Sequence, residues 1–257
     1  MPQLLLHPMA EFPHDKIKPY SQEGDKKEQV STMFDDIAPR YDFMNRFLSL
    51  GIDVSWRKKA IRQFAQDKPR VILDVATGTG DMAIRACKML QPEKVFGIDI
   101  SEKMLEVGKQ KVENEGLAEK ITLQKGDSET INFAENTFDA VMVAFGVRNF
   151  GNLQKGMSEI KRVMKPGARL VVLEFSKPNI PGVRSLYNLY MGVIAPQIAR
   201  WFKTNKQAYK YLNESAKAFP DRQRFVDILN NVGFSDTFFK PLSLGICCIY
   251  VGRKPQP

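Results

Sequence analysis

Cysteine and histidine are scarce in this chain of 257 residues. It contains three cysteines, none of them in a CxxC pair, and Cys247 and Cys248 are adjacent. That usage favours reduced thiols in a cytoplasmic protein over a disulfide framework or a zinc site. The two histidines, His7 and His14, both lie close to the N-terminus. The sequence therefore predicts no metal site and no histidine base.

Long apolar runs are missing as well. Residues 4–6 are all leucine, but this run is far too short for the core of a secretory signal, and His7 and Pro8 interrupt it. The longest uncharged stretch, Ser185–Ala199, is shorter than the roughly 20 apolar residues that cross a bilayer. We therefore expect a cytoplasmic protein without a membrane-spanning helix, and peripheral contact with the inner face of the cell membrane stays open.

Positive charge is abundant and unevenly distributed. The formal net charge of +9 suggests nucleic acid or an anionic membrane surface as a partner. The segment from Lys177 to Lys217 holds seven basic residues against one acid, Glu214. A solvated helix face explains such a run about as well as an anionic partner does.

Three patterns follow one another along the chain. Residues 1–25 are rich in proline and polar residues and predict a mobile tail. Residues 26–67 place apolar side chains at helical spacing, as at Val30, Met33 and Phe34. The remainder begins as an alternation of short apolar runs with helical stretches, which indicates right-handed βαβ units and a parallel sheet.

The alternation predicts five strands and three helices. The strands are Val71–Val75, Val95–Asp99, Ile121–Gln124, Phe138–Ala144 and Arg169–Phe175. The helices are Asp81–Leu90, Glu102–Glu115 and Leu153–Met164, the last of which ends at Lys165-Pro166-Gly167.

The C-terminal part predicts a helix at Asp221–Asn231 and then a hairpin-like pair of strands, Phe234–Lys240 and Ile246–Val251. The fold class is therefore α/β: one domain over residues 26–257, built on a doubly wound, mostly parallel seven-stranded sheet that ends in an antiparallel pair. Residues 177–218 do not fit the alternation and are too long for a plain connection. We expect them to form a mostly helical lid over one end of the sheet.

A glycine-rich turn follows the first predicted strand. Gly78 and Gly80 allow a tight turn, with Thr77 just before it, that brings the backbone close to a ligand at the start of a helix. A nicotinamide site stays open here, because Ala83 is an allowed ending of the GxGxxG fingerprint. Asp74 favours another ligand, since its charge repels a pyrophosphate but suits an ammonium group such as the methionine end of S-adenosylmethionine.

Acids also end the second and third predicted strands. Asp99 lies 19 residues after Gly80, where a carboxylate can accept both hydroxyl groups of a ribose, and Ser101 is the better N-cap for the next helix. Asp127 and Ser128 either receive the amine and ring of adenine or form an ordinary turn. Because the carboxyl ends of parallel strands meet at one edge, these acids together predict a site for S-adenosylmethionine.

Longer blocks of the chain resemble the ubiquinone/menaquinone biosynthesis C-methyltransferases (UbiE/MenG). The blocks are residues 41–56 (YDFMNRFLSLGIDVSW), 145–149 (FGVRN), 162–176 (RVMKPGARLVVLEFS), 209–215 (YKYLNES) and 219–220 (FP). The resemblance runs from about Lys27 to Arg253. It departs at Asp53, where the family usually has histidine, and at Ala168, where it usually has glycine.

The resemblance implies methyl transfer from S-adenosylmethionine to a ring carbon of a prenylated quinol. It implies cofactor contacts at Thr77, Asp99, Asp127 and Ser128. The chain looks most like the menaquinone branch, so we expect demethylmenaquinol as substrate; a ubiquinone-pathway or dual-specificity benzoquinol enzyme is the alternative. Because Asp53 stands where the family usually has histidine, a role of this position in substrate binding is less expected here.

Alkylation of a ring carbon needs electron density there, which a deprotonated quinol hydroxyl supplies. Arg148 follows the fourth predicted strand and is always protonated, so we expect it to stabilise the phenolate, directly or through a water, rather than to act as a base. A salt-bridged surface arginine is the alternative. Glu174, at the end of the fifth strand, either helps to stabilise the reacting groups or only accepts hydrogen bonds from backbone amides.

The remaining candidate residues come from the first family-like block and from the neighbour of Arg148. Tyr41 and Asp42 are catalytic candidates, with Asp42 as the possible base. Met44, Asn45 and Asn149 are expected to line the substrate pocket. Helix packing explains residues 41–45 about equally well.

Two other classes of function compete with this interpretation, besides the dehydrogenase that the glycine-rich turn leaves open and that NAD binding would test. A nucleic-acid methyltransferase would account for the charge, but the Asn/Asp-Pro-Pro-aromatic loop of base-modifying enzymes is replaced here by residues 144–149, so no nucleic acid is expected. A non-catalytic scaffold that binds S-adenosylmethionine is the other, and retention of every cofactor position argues against it. The sequence leaves the oligomeric state open, a homodimer included.

Overall fold

The computed structural model describes residues 12–178, 180–182, 185 and 206–257. Seven segments form one sheet with the order β3-β2-β1-β4-β5-β7-β6. The strands are β1 Val71–Val75, β2 Lys94–Asp99, β3 Ile121–Lys125, β4 Phe138–Ala144, β5 Met164–Phe175, β6 Ser235–Leu242 and β7 Cys247–Arg253. Strands β1 to β5 pair in parallel, and β7 pairs antiparallel with both β5 and β6.

Helices cover the sheet and precede it. The α-helices described over their whole length are α1 Lys26–Ile37, α2 Tyr41–Leu48, α3 Ile52–Ile61, α4 Asp81–Leu90, α5 Glu102–Asn114, α6 Leu153–Val163, α7 Lys206–Ala218 and α8 Gln223–Val232. Several helix ends follow local signals. The Ser101 hydroxyl caps α5 by accepting a hydrogen bond from the Met104 amide, as predicted, and α8 ends at Gly233 with a φ of +91°.

The sheet separates two apolar cores. Leu73 points to one face, where it packs in a cluster with Met157 of α6 and Leu229 of α8. Its neighbour Ile72 points to the other face, where it packs in a cluster with Ala60 of α3. Strands buried on both faces are typical of parallel sheets covered by helices. The predicted α/β fold with its antiparallel C-terminal pair is thus confirmed.

The predicted break at residues 165–167 differs from the structure. Helix α6 ends at Val163, and β5 begins at once with Met164, which pairs with Phe138 of β4. The register then shifts between this pair and the rest of the ladder, and Gly167 takes a φ of +77°. The proline and glycine therefore mark an irregularity within a strand, not a loop that separates helix from strand.

The described part of the predicted tail, residues 12–25, packs on the domain. Pro13–Lys16 form a 3-10 turn, and His14 is fully buried with its ring edge to face against Phe219, 5.6 Å between centroids. The sequence predicts a mobile tail here because its proline and polar content conceals this aromatic contact. Residues 1–11 lie outside the described residues.

Most of the predicted lid, residues 177–218, also lies outside the described residues. Its last part is helix α7, which begins at Lys206 and carries the exposed pair Lys210 and Glu214, 3.9 Å apart. Among the described helices, none is both long and apolar enough to cross a membrane.

Candidate active site

A cleft of about 640 Å³, counted with its open mouth, borders the carboxyl ends of β1 to β4. The sheet edge supplies one wall, which includes Gly78, Asp99, Asp127, Ser128 and Phe145. Helix α1 and the start of α2 supply the opposite wall, which includes Lys27, Val30, Phe34 and Tyr41. A concave site at the carboxyl ends of parallel strands, lined by apolar side chains and a few polar groups, is the usual place for a small-molecule ligand.

The glycine-rich turn after β1 holds a buried carboxyl group. Asp74 is 1% exposed, and its Oδ2 accepts a hydrogen bond of 2.6 Å from the Thr77 hydroxyl, whereas its Oδ1 has no partner among the described residues. Burial raises the pKa of Asp74 to about 7, although the Thr77 bond and the nearby Arg57 oppose the rise. Among the described residues, neither Asp74 nor Thr77 lines the cleft, although the adjoining Ala76 and Gly78 do. A buried acceptor without a partner fits a ligand that donates to it.

Two glycines of this turn adopt left-handed conformations. Gly78 has a φ of +55° and lines the cleft, and nothing lies within 4 Å of where a Cβ would stand. Gly80, with a φ of +75°, precedes α4 and lies outside the cleft wall. The turn therefore needs glycine for its backbone shape at both positions, and at Gly78 it also leaves room for a ligand.

Asp99 ends β2 and reaches the cleft with its carboxylate held from both sides. Its Oδ2 accepts from the Gly78 amide at 2.8 Å, and its Oδ1 accepts from the Ser101 amide at 2.9 Å. Burial raises the pKa of Asp99, and these amide bonds oppose the rise. Each oxygen keeps a lone pair for a hydroxyl donor.

Asp127 follows β3 and is fixed by a lysine of α1. Lys27 Nζ lies 2.7 Å from Asp127 Oδ2 and 2.9 Å from Glu129 Oε2, and the Glu129 amide donates to Asp127 Oδ1 at 2.9 Å. Partial burial lowers the pKa of Lys27, but its two carboxylate partners outweigh burial and hold it above its ordinary value. Ser128 lines the cleft beside this group.

Two residues other than glycine have left-handed backbone at the cleft. Ala76 has a φ of +54° and Phe145 a φ of +60°. Between them, Gly146 approaches so closely that a Cβ would lie 2.5 Å from the Ala76 Cβ. Such conformations persist only where the surrounding structure fixes them, and they concentrate at functional sites.

Arg148 is buried rather than exposed at the surface. Its Nη1 donates to Glu174 Oε1 at 2.6 Å and to the Phe145 carbonyl at 2.8 Å, and its guanidinium lies over the Phe175 ring. Glu174 is fully buried; burial raises its pKa and Arg148 opposes the rise. Among the described residues, Arg148 is not part of the cleft wall, whereas its neighbour Asn149 is.

Tyr41 and Asn149 are the predicted substrate-side residues that reach the cleft. Burial raises the pKa of Tyr41, and the Asn45 side chain opposes the rise by hydrogen bonding to it. Asn149 Oδ1 is buried without a partner among the described residues. Met44 is buried in helix packing and lies outside the cleft wall.

Asp42 belongs to a network of charges behind the glycine-rich turn. Its Oδ1 accepts from the Thr79 hydroxyl and its Oδ2 from Lys111, both at 2.6 Å. Lys111 also binds Asp81, at 2.6 Å. Asp42 lies outside the cleft wall, so the structure does not place it where a base for the quinol is expected.

Asp53, at the position of the family's usual histidine, lies in the same network. It is 3% exposed, hydrogen-bonded to Arg46 and to the Ser49 hydroxyl, and 3.8 Å from Arg57. These contacts tie α2 to α3. Asp53 therefore has a packing explanation and does not line the cleft.

Two residues near the cleft have no counterpart in the sequence-based prediction. Lys27 starts the face of α1 that continues through Val30 and Phe34, and helical spacing reveals that face but not what it contacts. Arg57 is 5% exposed, lies 5.0 Å from the centre of the Phe145 ring, and leaves Nε and Nη1 without hydrogen-bond partners among the described residues. Nothing in the sequence around this arginine indicates that it is buried beside the Phe145 ring.

The sheet order, the antiparallel last pair and the carboxylates around the cleft define a class I S-adenosylmethionine-dependent methyltransferase. The model of the ubiE/COQ5 methyltransferase family matches residues 22–254. The chain belongs to this family, as its sequence blocks predict.

Relatives of similar length carry two names. The "Demethylmenaquinone methyltransferase" of Bacteroides fragilis is 48% identical over 95% of this chain and 99% of its own length. The protein of the same name from Porphyromonas gingivalis is 42% identical over 93% and 98% of the two chains. The "Ubiquinone/menaquinone biosynthesis C-methyltransferase UbiE" of Geotalea daltonii is 43% identical over 90% and 98%.

Solved structures share the fold at low identity. A SAM-dependent methyltransferase of Thermotoga maritima, described as a possible histamine N-methyltransferase, superposes with a TM-score of 0.60 at 17% identity and covers 88% of this chain and 99% of its own. A SAM-dependent methyltransferase of Aquifex aeolicus gives 0.56 at 22% identity, over 76% and 88%. These likenesses concern the fold alone.

Proposed function

We propose that this protein is an S-adenosylmethionine-dependent C-methyltransferase that converts demethylmenaquinol to menaquinol. The observation that carries the proposal is the 48% identity, over nearly the full length of both chains, to a relative named for that activity. The cleft supports it, because residues of two family-like blocks, Tyr41 and Asn149, border the same cleft as the carboxylate Asp99.

The methyl donor is S-adenosylmethionine, and the residues around the cleft fit it. The free lone pairs of Asp99 suit the ribose hydroxyls, and the Asp127–Ser128 corner suits the adenine. The unpartnered Oδ1 of Asp74, in the turn formed by Thr77, Gly78 and Gly80, suits the ammonium of the amino-acid end. When bound, the cofactor supplies an electrophilic methyl group on its sulfonium.

Tyr41 stabilises the charge that develops on the quinol oxygen as the hydroxyl proton passes to a water molecule. The ring carbon then gains the methyl group and loses its own proton to water, which restores the aromatic quinol. Because burial raises the pKa of Tyr41, its phenol stays protonated at neutral pH and is a donor rather than a base. Asn45 bonds to the tyrosine oxygen, which leaves the phenolic proton available for the substrate oxygen. A preorganised donor at a developing anion is the main electrostatic contribution that such a site offers.

Arg148 and Asn149 act on the same side of the substrate. Arg148 contributes positive charge close to the cleft, and through the Phe145 carbonyl and Glu174 it fixes the turn that carries Asn149. Asn149 Oδ1 accepts a hydrogen bond from the second quinol hydroxyl and thereby orients the ring. Holding the nucleophilic carbon in line with the methyl group provides much of the rate enhancement in such transfers.

Incubation of the purified protein with S-adenosylmethionine and each demethyl quinol, followed by mass spectrometry, tests this function. We expect a methyl group on the naphthoquinol ring. Methylation of a benzoquinol alone, or of both rings, would assign the ubiquinone-pathway or dual-specificity alternative. Cofactor binding by calorimetry without turnover on any quinol would identify a scaffold.

Weak, salt-sensitive contact with an anionic membrane is a further part of the proposal. A prenylated quinol resides in the bilayer, and the sequence from Lys177 to Lys217 carries a strong positive excess. Basic residues near an anionic surface contribute about 1 kcal/mol each. Cosedimentation with anionic vesicles at low and high salt is the test. The triple charge reversal of Lys203, Lys206 and Lys210 should weaken binding to vesicles but not to the cofactor.

A further inference from the structure

Lys26 is a buried cation that the proposed mechanism does not use. It is the first residue of α1 and is 5% exposed. Its Nζ donates to the main-chain carbonyl oxygens of His14 at 2.8 Å, Phe150 at 2.9 Å and Arg148 at 3.4 Å. One ammonium thus joins two chain segments that are more than a hundred residues apart in sequence.

Two of these carbonyl groups belong to the end of the 3-10 turn Val147–Asn149. Carbonyl groups at the end of a helical turn have no partner within it and carry partial negative charge. An ammonium has three N–H donors, one for each carbonyl, whereas a neutral amine has two. The charged form of Lys26 is therefore the one that satisfies all three acceptors.

The residues that Lys26 holds form part of the cleft. Asn149, Phe150 and Gly151 line it, and the adjoining Arg148 is paired with the buried Glu174. A shift of this turn moves Asn149 relative to Tyr41, which faces it from the helical wall. Lys27, the next residue of α1, supports the following residues through Glu129, which accepts from the Asn152 amide at 2.8 Å. Lys26 is the residue of α1 that binds the carbonyl groups of the turn itself.

The third carbonyl brings in the N-terminal segment. Pro13–Lys16 contact both the Val147–Asn149 turn and helix α7. Asp15 accepts from the Phe12 amide at 2.9 Å, and the His14 ring packs between Phe12 and Phe219. The His14 carbonyl is thus presented to Lys26 from a packed turn.

We propose that Lys26 is a positioning residue that holds the Val147–Gly151 turn in its catalytic place, with the His14 carbonyl as the anchor. This role of Lys26 rests on the proposed function only where kcat is measured. Its structural content is that the three hydrogen bonds of the Lys26 ammonium determine where this turn lies.

The proposal has a pH dependence. Burial lowers the pKa of Lys26 to about 8, against the attraction of Asp15 and Glu129, and Arg148 adds to the lowering. The adjoining His14 is neutral above acidic pH because burial lowers its pKa to about 3. As pH rises through about 8, Lys26 loses one of its three donors, so the advantage that it confers should shrink.

A graded series of variants tests the inference. Lys26→Gln keeps two donors and Lys26→Met keeps none, while Lys103→Met removes an exposed lysine of α5 as a matched control. We expect kcat to fall about 10- to 100-fold in Lys26→Met, as an ångström-scale misplacement does. Lys26→Gln should fall in between, and Lys103→Met should match the wild type. Affinity for S-adenosylmethionine should change far less than kcat.

Two further measurements separate positioning from a general loss of structure. Hydrogen exchange of the 146–151 amides should accelerate in Lys26→Met while the sheet amides stay protected. The ratio of wild-type to Lys26→Met kcat should decline as pH rises through about 8.

Wild-type kcat in a folded Lys26→Met protein, unchanged exchange at 146–151, or a ratio that does not vary with pH would overturn the proposal. Should the wild type methylate no quinol, the proposed function fails, and the exchange measurement alone still decides whether Lys26 holds the turn.

Discussion

Asp99 at the sheet edge and Asp42 in the N-terminal helices are both held by two hydrogen bonds, but their partners differ. The partners of Asp99 are backbone amides of Gly78 and Ser101, which follow from where β1 and β2 end. The partners of Asp42 are side chains of Thr79 and Lys111, on elements distant in sequence. A carboxylate at a strand end is positioned relative to a ligand by the sheet itself. A carboxylate on a helix is positioned by side chains that are distant in sequence.

The largest expected effect concerns cofactor binding by Asp99 at the sheet edge. Asp99→Ala removes two charge-assisted acceptors for the ribose, each worth about 1.5–3 kcal/mol, so cofactor affinity should fall by roughly 3–6 kcal/mol. Calorimetry on the folded variant measures this directly. Unchanged affinity would mean that the sheet edge does not bind the ribose.

Arg148, which follows β4, is a second group near the sheet edge that is held by fixed partners. Arg148→Met leaves the fully buried Glu174 without its cation, and we expect a loss of about 3–5 kcal/mol in the free energy of unfolding. The double variant Arg148→Met/Glu174→Gln should recover most of that stability in denaturant titrations.

The kinetic outcome of the double variant separates the roles of Arg148. If Arg148 stabilises the developing phenolate, kcat stays low in the double variant despite restored stability, with nearly normal cofactor affinity. Recovery of kcat together with stability would show that the arginine only neutralises Glu174.

The difference between the two regions explains what sequence reasoning could reach. Alternating runs predict the strands of the parallel sheet to within a few residues, except where Met164 extends β5 beyond the predicted break. The positions of Asp74, Asp99 and Asp127 at one edge follow from that sheet, because parallel strands bring their carboxyl ends together.

The N-terminal helices were less accessible to such reasoning. Periodicity predicts their helical character, but not that Asp42 faces Lys111, that Met44 is packed away from the cleft, or that Lys27 fixes Asp127. The burial of His14 and Lys26 is likewise a tertiary effect of aromatic contacts and carbonyl groups contributed by distant segments. No local pattern encodes these partners.

The contribution of Asp74 to the stability of the fold should depend on pH. Its folded-state pKa of about 7 exceeds the ordinary 3.8, so its carboxyl group favours the folded state below pH 3.8 and that contribution is lost as pH rises to about 7. Asp74→Asn removes the buried charge, and at pH 8 the cofactor-free variant should be more stable than wild type. We expect about 1–3 kcal/mol, from a shift worth about 4 kcal/mol less the unpaired amide of the new side chain.

Thermal unfolding at pH 4 and pH 8 measures this effect of Asp74→Asn. The gain in stability should be largest at pH 8 and should nearly vanish at pH 4. The same variant should bind S-adenosylmethionine more weakly, since the acceptor for its ammonium has lost its charge. A gain that is equal at both pH values would show that Asp74 is not strained by burial.

The smallest expected effect concerns Asp42. If its carboxylate only ties α2 to Thr79 and Lys111, Asp42→Asn should cost less than about 1 kcal/mol, since both Asp42 and Lys111 are partly exposed and such pairs contribute little. Asp139→Asn is a control away from the cleft: Asp139 binds Lys165 at the same 2.6 Å, and its other oxygen accepts from the Arg70 and Val71 amides. Denaturant titration should give a loss for Asp139→Asn at least as large as for Asp42→Asn, with kcat unchanged in each. General bases typically contribute 10²- to 10⁴-fold, so a hundredfold fall in kcat for Asp42→Asn alone would restore it as the base. It would also show that a helix-borne carboxylate can leave its partners to reach the substrate.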